Sequence, residues 1–155
     1  MLIFLDFDGV LHTKDEMPFV RLDLFEAFVL ARPGVDVVIS ASWRETLDLP
    51  ILLDVFSEAF QERILGVTPV FRETHREFVD DARTVLSEPG IRQREIEAYV
   101  AAHHPGRPWV ALDDLPKLFL GTERLLHVPN GLDETVLAEL DRRIQSEQAP
   151  LTSAA

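Results

Sequence analysis

The 155-residue chain has the length of one ordinary domain, enough to bury a core and too little for two. Its 15 basic and 27 acidic residues leave a formal charge of −12, which disfavours broad electrostatic binding to nucleic acid but suits a carboxylate-rich metal site. Cysteine is absent, which excludes disulfides, thiolate nucleophiles and zinc–thiolate centres together.

The chain opens on the apolar run Leu2 to Leu5, which is short, lacks a basic leader and is interrupted by Asp6. Neither a secretory leader nor a membrane span is expected, and a cytoplasmic location is the corresponding expectation. Leu22, Phe25, Phe28 and Val29 then recur at helical spacing until Pro33-Gly34. A second apolar run covers Val35 to Ile39. Leu52, Val55, Phe56, Ala59 and Phe60 predict one helix beginning at Asp48 or Leu49, with Pro50 in its first turn. Ile64 to Val67 reads as a third strand, and Thr68 to Pro89 as a long loop with at most a short helix. Ile96, Tyr99 and Val100 mark a helix that starts between Gly90 and Arg94. Trp109 to Leu112 and Leu125 to Val128 complete five strand-length runs. Asp133 is placed to N-cap a last helix carrying Val136, Leu137, Leu140 and Ile144. Residues 1–148 are expected to form a single domain and 149–155 a frayed tail. Apolar strands without alternation, separated by helices, predict a doubly wound α/β fold with a parallel sheet covered on both faces.

Open α/β sheets bind ligands at the carboxyl ends of their strands. The first predicted strand ends in Asp6, with Asp8 two residues on. The second ends in Ser40, followed by Ser42, Trp43 and Arg44, and the fourth ends in Asp113-Asp114. If these strands are neighbours, the polar groups converge. Several carboxylates without cysteine or clustered histidine make a hard, oxygen-rich site that favours Mg²⁺. An aspartate in such a field attacks phosphorus, and a second carboxylate protonates the leaving oxygen and then activates water. Gly9 permits a sharp turn as the chain leaves the strand. A lone strand-end aspartate is as readily a cap or an Asx turn, but Asp6-Phe7-Asp8-Gly9-Val10 with a later Asp-Asp strand end is far more specific.

These residues resemble the haloacid-dehalogenase-like (HAD) superfamily, whose members are mainly phosphohydrolases with a Rossmann-like sheet. Asp6-Phe7-Asp8-Gly9-Val10-Leu11 is similar to its first motif. The resemblance implies Asp6 as nucleophile, Asp8 as acid/base with its backbone carbonyl on the metal, Ser40 as the phosphoryl-binding hydroxyl, and Asp113 and Asp114 as metal-binding residues. Asp6 and Asp8 thus join Asp113 and Asp114 in the expected metal set. It also implies the strand order 3-2-1-4-5. The third motif departs from the family pattern, because neither Lys14 nor Lys117 precedes the helix leading to the fourth strand. Arg92 is expected in the place of the usual lysine, with Arg94 the alternative; guanidinium grips phosphate in a fork and is not an equivalent point charge. Val38-Ile39-Ser40-Ala41-Ser42-Trp43-Arg44, Gly66-Val67-Thr68-Pro69, Arg92-x-x-Glu95-Ile96, Ala111-Leu112-Asp113-Asp114 and Asn130-Gly131-Leu132 are similar to a narrower group that includes HAD-like domains associated with RNA-repair proteins.

Around this centre, Gly9, Ser42, Trp43 and Arg44 are expected to meet substrate, with Arg44 on a distal phosphate and Trp43 stacked on a base. The ordinary alternative for Trp43 and Arg44 is a packing pair at a helix start. His12 either faces substrate or is a solvated loop histidine. The short intervals between motifs leave no room for a large cap. The sequence therefore predicts an Mg²⁺-dependent phosphomonoesterase acting on a nucleotide or other small phosphorylated compound. Two alternatives stand beside it: a phosphatase of nucleic-acid ends, and a binding or regulatory module with weakened turnover.

Overall fold

Leu2–Leu5 (β1) is buried at every position, which places it in the middle of a sheet covered on both faces. A computed structural model describes residues 1–71 and 90–148, and in it β1 is joined by Asp36–Ile39 (β2), Ile64–Val67 (β3), Trp109–Asp113 (β4) and Leu125–His127 (β5). All four pairings are parallel, in the order β3-β2-β1-β4-β5. The fold is thus the expected Rossmann-like α/β sheet with the expected strand order.

Alternate residues of the buried strands serve opposite faces. Ile3, Leu5, Val37, Ile39, Val110 and Leu112 join a core with the helices Leu22–Leu30 (α1) and Glu134–Gln148 (α5). The same core takes in the short helices Leu49–Leu53 (α2) and Glu58–Gln61 (α3) through Leu52 and Phe60. Leu2, Phe4, Val38, Trp109 and Ala111 face the other way, against Ile96 and Tyr99 of the helix Ile91–His103 (α4). Asp133 caps α5 as expected, its Oδ1 accepting from the Val136 N–H at 2.8 Å.

One helix expectation is corrected. The periodic run from Leu52 to Phe60 is two helices, because Ser57 turns out of the first to bond the buried Glu26 of α1. Its N–H and hydroxyl donate to the two Glu26 oxygens at 2.8 and 2.5 Å. Apolar spacing cannot reveal this break, since both pieces present the same face to the core. The expected loop up to Pro89 falls mostly on residues 72–89, and the expected tail on 149–155. Both lie outside the described residues. Among the described residues no helix is long and apolar enough to cross a membrane.

Candidate active site

The register sets one row of side chains along the carboxyl edge of the sheet. Leu5 pairs with Ile39 on one side and Leu112 on the other, so Asp6, Ser40 and Asp113 stand next to each other one residue beyond. The Ser40 N–H donates to Leu5 O at 3.0 Å and the Asp6 N–H to Leu112 O at 3.1 Å, continuing the ladders to the site itself. All three residues are buried.

Oxygens of Asp6, Asp113 and Asp114 all lie within 4.8 Å of one another. Desolvation is the main cause raising all three carboxyls above their ordinary range, and the Asp113 charge raises Asp6 further. Arg92 opposes this. Its Nη1 donates to Asp113 Oδ2 at 3.0 Å and lies 3.6 Å from Asp6 Oδ1. Backbone N–H groups also compensate, with Phe7 donating to Asp6 Oδ1 at 2.9 Å and Leu115 to Asp113 Oδ1 at 2.8 Å. Among the described residues Arg92 is the one arginine paired with the trio, which leaves negative charge, and the donors are all hard oxygens. The trio therefore fits a divalent cation of the Mg²⁺ type.

Gly9 makes room for this cluster. A side chain there would place its Cβ 2.2 Å from Asp114 Oδ2, and its φ of +78° lies in the left-handed region. Asp8 stands apart from the trio, its side chain 58 % exposed. Its Oδ2 accepts from Trp43 Nε1–H at 2.8 Å, and its Oδ1 lies 3.0 Å from His12 Nε2. A cavity of about 840 Å³ begins at Asp8 and Asp114 and runs along Thr13, Lys14 and Asn130.

Of the two arginines expected to replace the lysine, Arg92 reaches the carboxylates. Arg94 is exposed, with its guanidinium 5.9 Å from the Phe71 ring centre. Ser42 is exposed at the start of the 3₁₀ turn Ser42–Glu45, and Trp43 is half-buried on the same turn.

Arg44 requires a correction: it does not reach out for a distal phosphate. Its guanidinium is interior and all five of its donors are occupied, by the carbonyls of Ser40, Ala41, Thr68 and Pro69 and by Glu95. It ties the turn after β2 to the end of β3 and to α4. His12 is likewise not a solvated loop residue, being buried at 9 % exposure. Sequence reasoning assigned no role to Glu95 or Thr68. Thr68 follows β3 in the same edge row, and its hydroxyl is buried without a hydrogen-bond partner among the described residues. Both stand in segments similar to the RNA-repair-associated group, and that was the available signal.

A family model described as the HAD domain in Swiss Army Knife RNA repair proteins matches residues 2–138. The chain belongs to this family. The HAD domain so defined spans all five strands and the acidic trio. No curated protein and no solved structure shows a significant match to the chain.

Proposed function

We propose that this HAD domain is an Mg²⁺-dependent phosphomonoester hydrolase acting through an aspartyl-phosphate on Asp6. The observation that carries the reading is the edge row Ser40–Asp6–Asp113, with Arg92 lying against the two aspartates. Asp6, Asp113 and Asp114 would hold Mg²⁺. When bound, the ion neutralises charge on the carboxylates and on the phosphoryl oxygens.

The chain's own residues supply the rest. A buried aspartate is a nucleophile only when ionised, and Arg92 offsets part of the burial that favours its protonated form. Asp6 Oδ attacks phosphorus as the bond to the leaving oxygen breaks, and Asp8 delivers a proton to that oxygen. Asp8, now ionised, takes a proton from a water that attacks the same phosphorus. The Asp6–phosphorus bond breaks, releasing inorganic phosphate and restoring both aspartates. Ser40, adjacent to Asp6, serves as a hydrogen-bond donor to the phosphoryl group. The cavity beside Asp8 gives the leaving group a place next to the acid, where Lys14 meets its polar substituents. Ser42 and Trp43 stand on the 3₁₀ turn after β2, where Trp43 reaches the Asp8 carboxylate and the exposed Ser42 is free to meet substrate. Arg94 remains an outer alternative for contact with substrate anions.

This supports a nucleotide or other small phosphorylated compound as substrate, in keeping with a chain of charge −12. A second reading, a phosphatase of RNA or DNA ends, is favoured by the family's description as a domain of RNA repair proteins. Phosphate release with Mg²⁺ from mononucleotides and sugar phosphates, set against release from 3′- and 5′-phosphorylated oligonucleotides, separates the two. A preference of about tenfold or more in kcat/KM decides between them. No release from any of these substrates counts against the hydrolase itself.

A further inference from the structure

Asp8 is the most exposed aspartate of the motif set, yet neither of its oxygens is left to water alone. Trp43 Nε1–H donates to Oδ2 at 2.8 Å, and His12 Nε2 lies 3.0 Å from Oδ1. The His12 ring is oriented from its far side, where the Phe19 N–H donates to Nδ1 at 3.2 Å. An imidazole that accepts at Nδ1 carries its hydrogen on Nε2, so His12 is the donor to Asp8.

The supports of this contact are themselves built. Phe19 is the sole non-glycine residue of positive φ among the described residues, at 60°. An aromatic residue holds that conformation only where its surroundings impose it. Its ring packs edge-on against His12, Trp43 and Phe7, with centres 5.2, 5.3 and 5.5 Å apart. Phe7 lies between Asp6 and Asp8 in the chain and also packs edge-on against Trp43 at 5.7 Å. One aromatic cluster thus carries both donors and the backbone joining the two aspartates. An exposed carboxylate without such contacts samples several rotamers, whereas separate donors on its two oxygens fix both of its torsions.

We infer that His12 and Trp43 are positioning residues that aim the Asp8 carboxylate at the leaving-group oxygen. The inference rests on the hydrolase reading above and assigns two residues a part in it. Neither contact was foreseen from the sequence. Trp43 stands 35 residues from Asp8 and could be read only as a stacking or packing residue, and His12 as a solvated or substrate-facing one.

The test compares kcat/KM for an alkyl phosphate, whose leaving group needs a proton, with 2,4-dinitrophenyl phosphate, whose leaving group departs without one. This parameter reports the steps up to transfer of the phosphoryl group to Asp6, where Asp8 acts as the acid. Trp43→Phe keeps the ring and its packing but removes the N–H. His12→Phe removes the other donor, and His12→Gln returns an N–H near the position of Nε2. In Trp43→Phe and His12→Phe, the loss on the alkyl phosphate is expected to exceed that on the dinitrophenyl ester by about tenfold or more, with His12→Gln recovering part of it. Equal losses on both substrates, or none on either, overturn the inference. Trp43→Phe carries the test by itself where His12→Phe fails to fold. Asp6→Asn is run alongside: inactivity on both substrates sustains the hydrolase reading, whereas retained activity sinks that reading and the inference with it.

Discussion

The carboxylate of Asp114 occupies the space that a side chain at position 9 would need. Oδ2 lies 2.2 Å and Cγ 2.3 Å from where a Cβ on Gly9 would sit. The glycine of the first motif is therefore tied to Asp114, directly after β4, by steric exclusion as well as by its own positive φ. Gly9→Ala should push Asp114 out of the trio and strain the backbone, at a cost of about 1–3 kcal/mol in stability. The expected result is a folded protein whose Mg²⁺ affinity falls by about tenfold or more, read by calorimetric titration. Unchanged affinity would separate Asp114 from the metal.

Arg92 stands against Asp6 and Asp113. Nη1 makes the shortest approach to each carboxylate, at 3.6 and 3.0 Å, so a point charge at that position should serve. Arg92→Lys is expected to keep kcat within about tenfold of the parent, and Arg92→Met to lower it by about a hundredfold, because the methionine leaves two buried carboxylates without their cation. Steady-state kinetics at saturating Mg²⁺ reads both. Similar kinetics for the methionine variant and the parent would exclude a role in chemistry.

The Arg44–Glu95 pair is buried on both sides, with side-chain exposures of 1 % and 5 %. Burial pushes the Glu95 carboxyl up and the Arg44 guanidinium down, each opposed by the charge of the other. Glu95 follows Arg92 by about one turn of α4, so the pair ties down the part of the helix that carries Arg92. Arg44→Met should cost about 3–5 kcal/mol in urea unfolding, since it strands a buried carboxylate, while Arg44→Met with Glu95→Leu should recover much of that loss. Additive losses in the double variant would contradict the pairing.

Burial raises Asp6 to about 7 and Asp113 to about 6. The folded protein then keeps protons that the unfolded chain has already released between the ordinary carboxylate range and those values. The pair's contribution to stability is complete below the unfolded pKa, near 3.8, and is lost as pH rises through about 7. Without metal, Tm should therefore fall between about pH 5 and pH 8. Mg²⁺ should raise Tm by several degrees near pH 8 and by much less near pH 5, where protons compete for the same oxygens. Asp6→Asn should flatten the metal-free slope. A Mg²⁺ shift of equal size at both pH values would place the ion elsewhere.

The central strands β1 and β4 were legible in the sequence because each is an apolar run without alternation, a pattern imposed by burial on two faces. The edge strand β3 carries such a run although Leu65 is exposed. Asp6, Ser40 and Asp113 were legible because each directly follows such a strand, and parallel register places strand ends side by side. The inward turn of Arg44 was not legible, since its acceptors come from two strand ends and a helix up to 51 residues away. The hold of His12 and Trp43 on Asp8 was hidden for the same reason. So was the break at Ser57, which depends on a carboxylate 31 residues earlier in α1. Periodicity reports which face is buried, and it carries no information about which distant polar group a side chain meets there.

Covalent capture of the transferring phosphoryl group would identify Asp6 as the nucleophile. Protein turning over a phosphomonoester with Mg²⁺ is quenched rapidly in acid, and its peptides are mapped by mass spectrometry, with Asp6→Asn treated in parallel. A phosphoryl group is expected on the peptide containing Asp6, and neither adduct nor turnover in a folded Asp6→Asn protein. Undiminished turnover in that variant would contradict a nucleophilic Asp6.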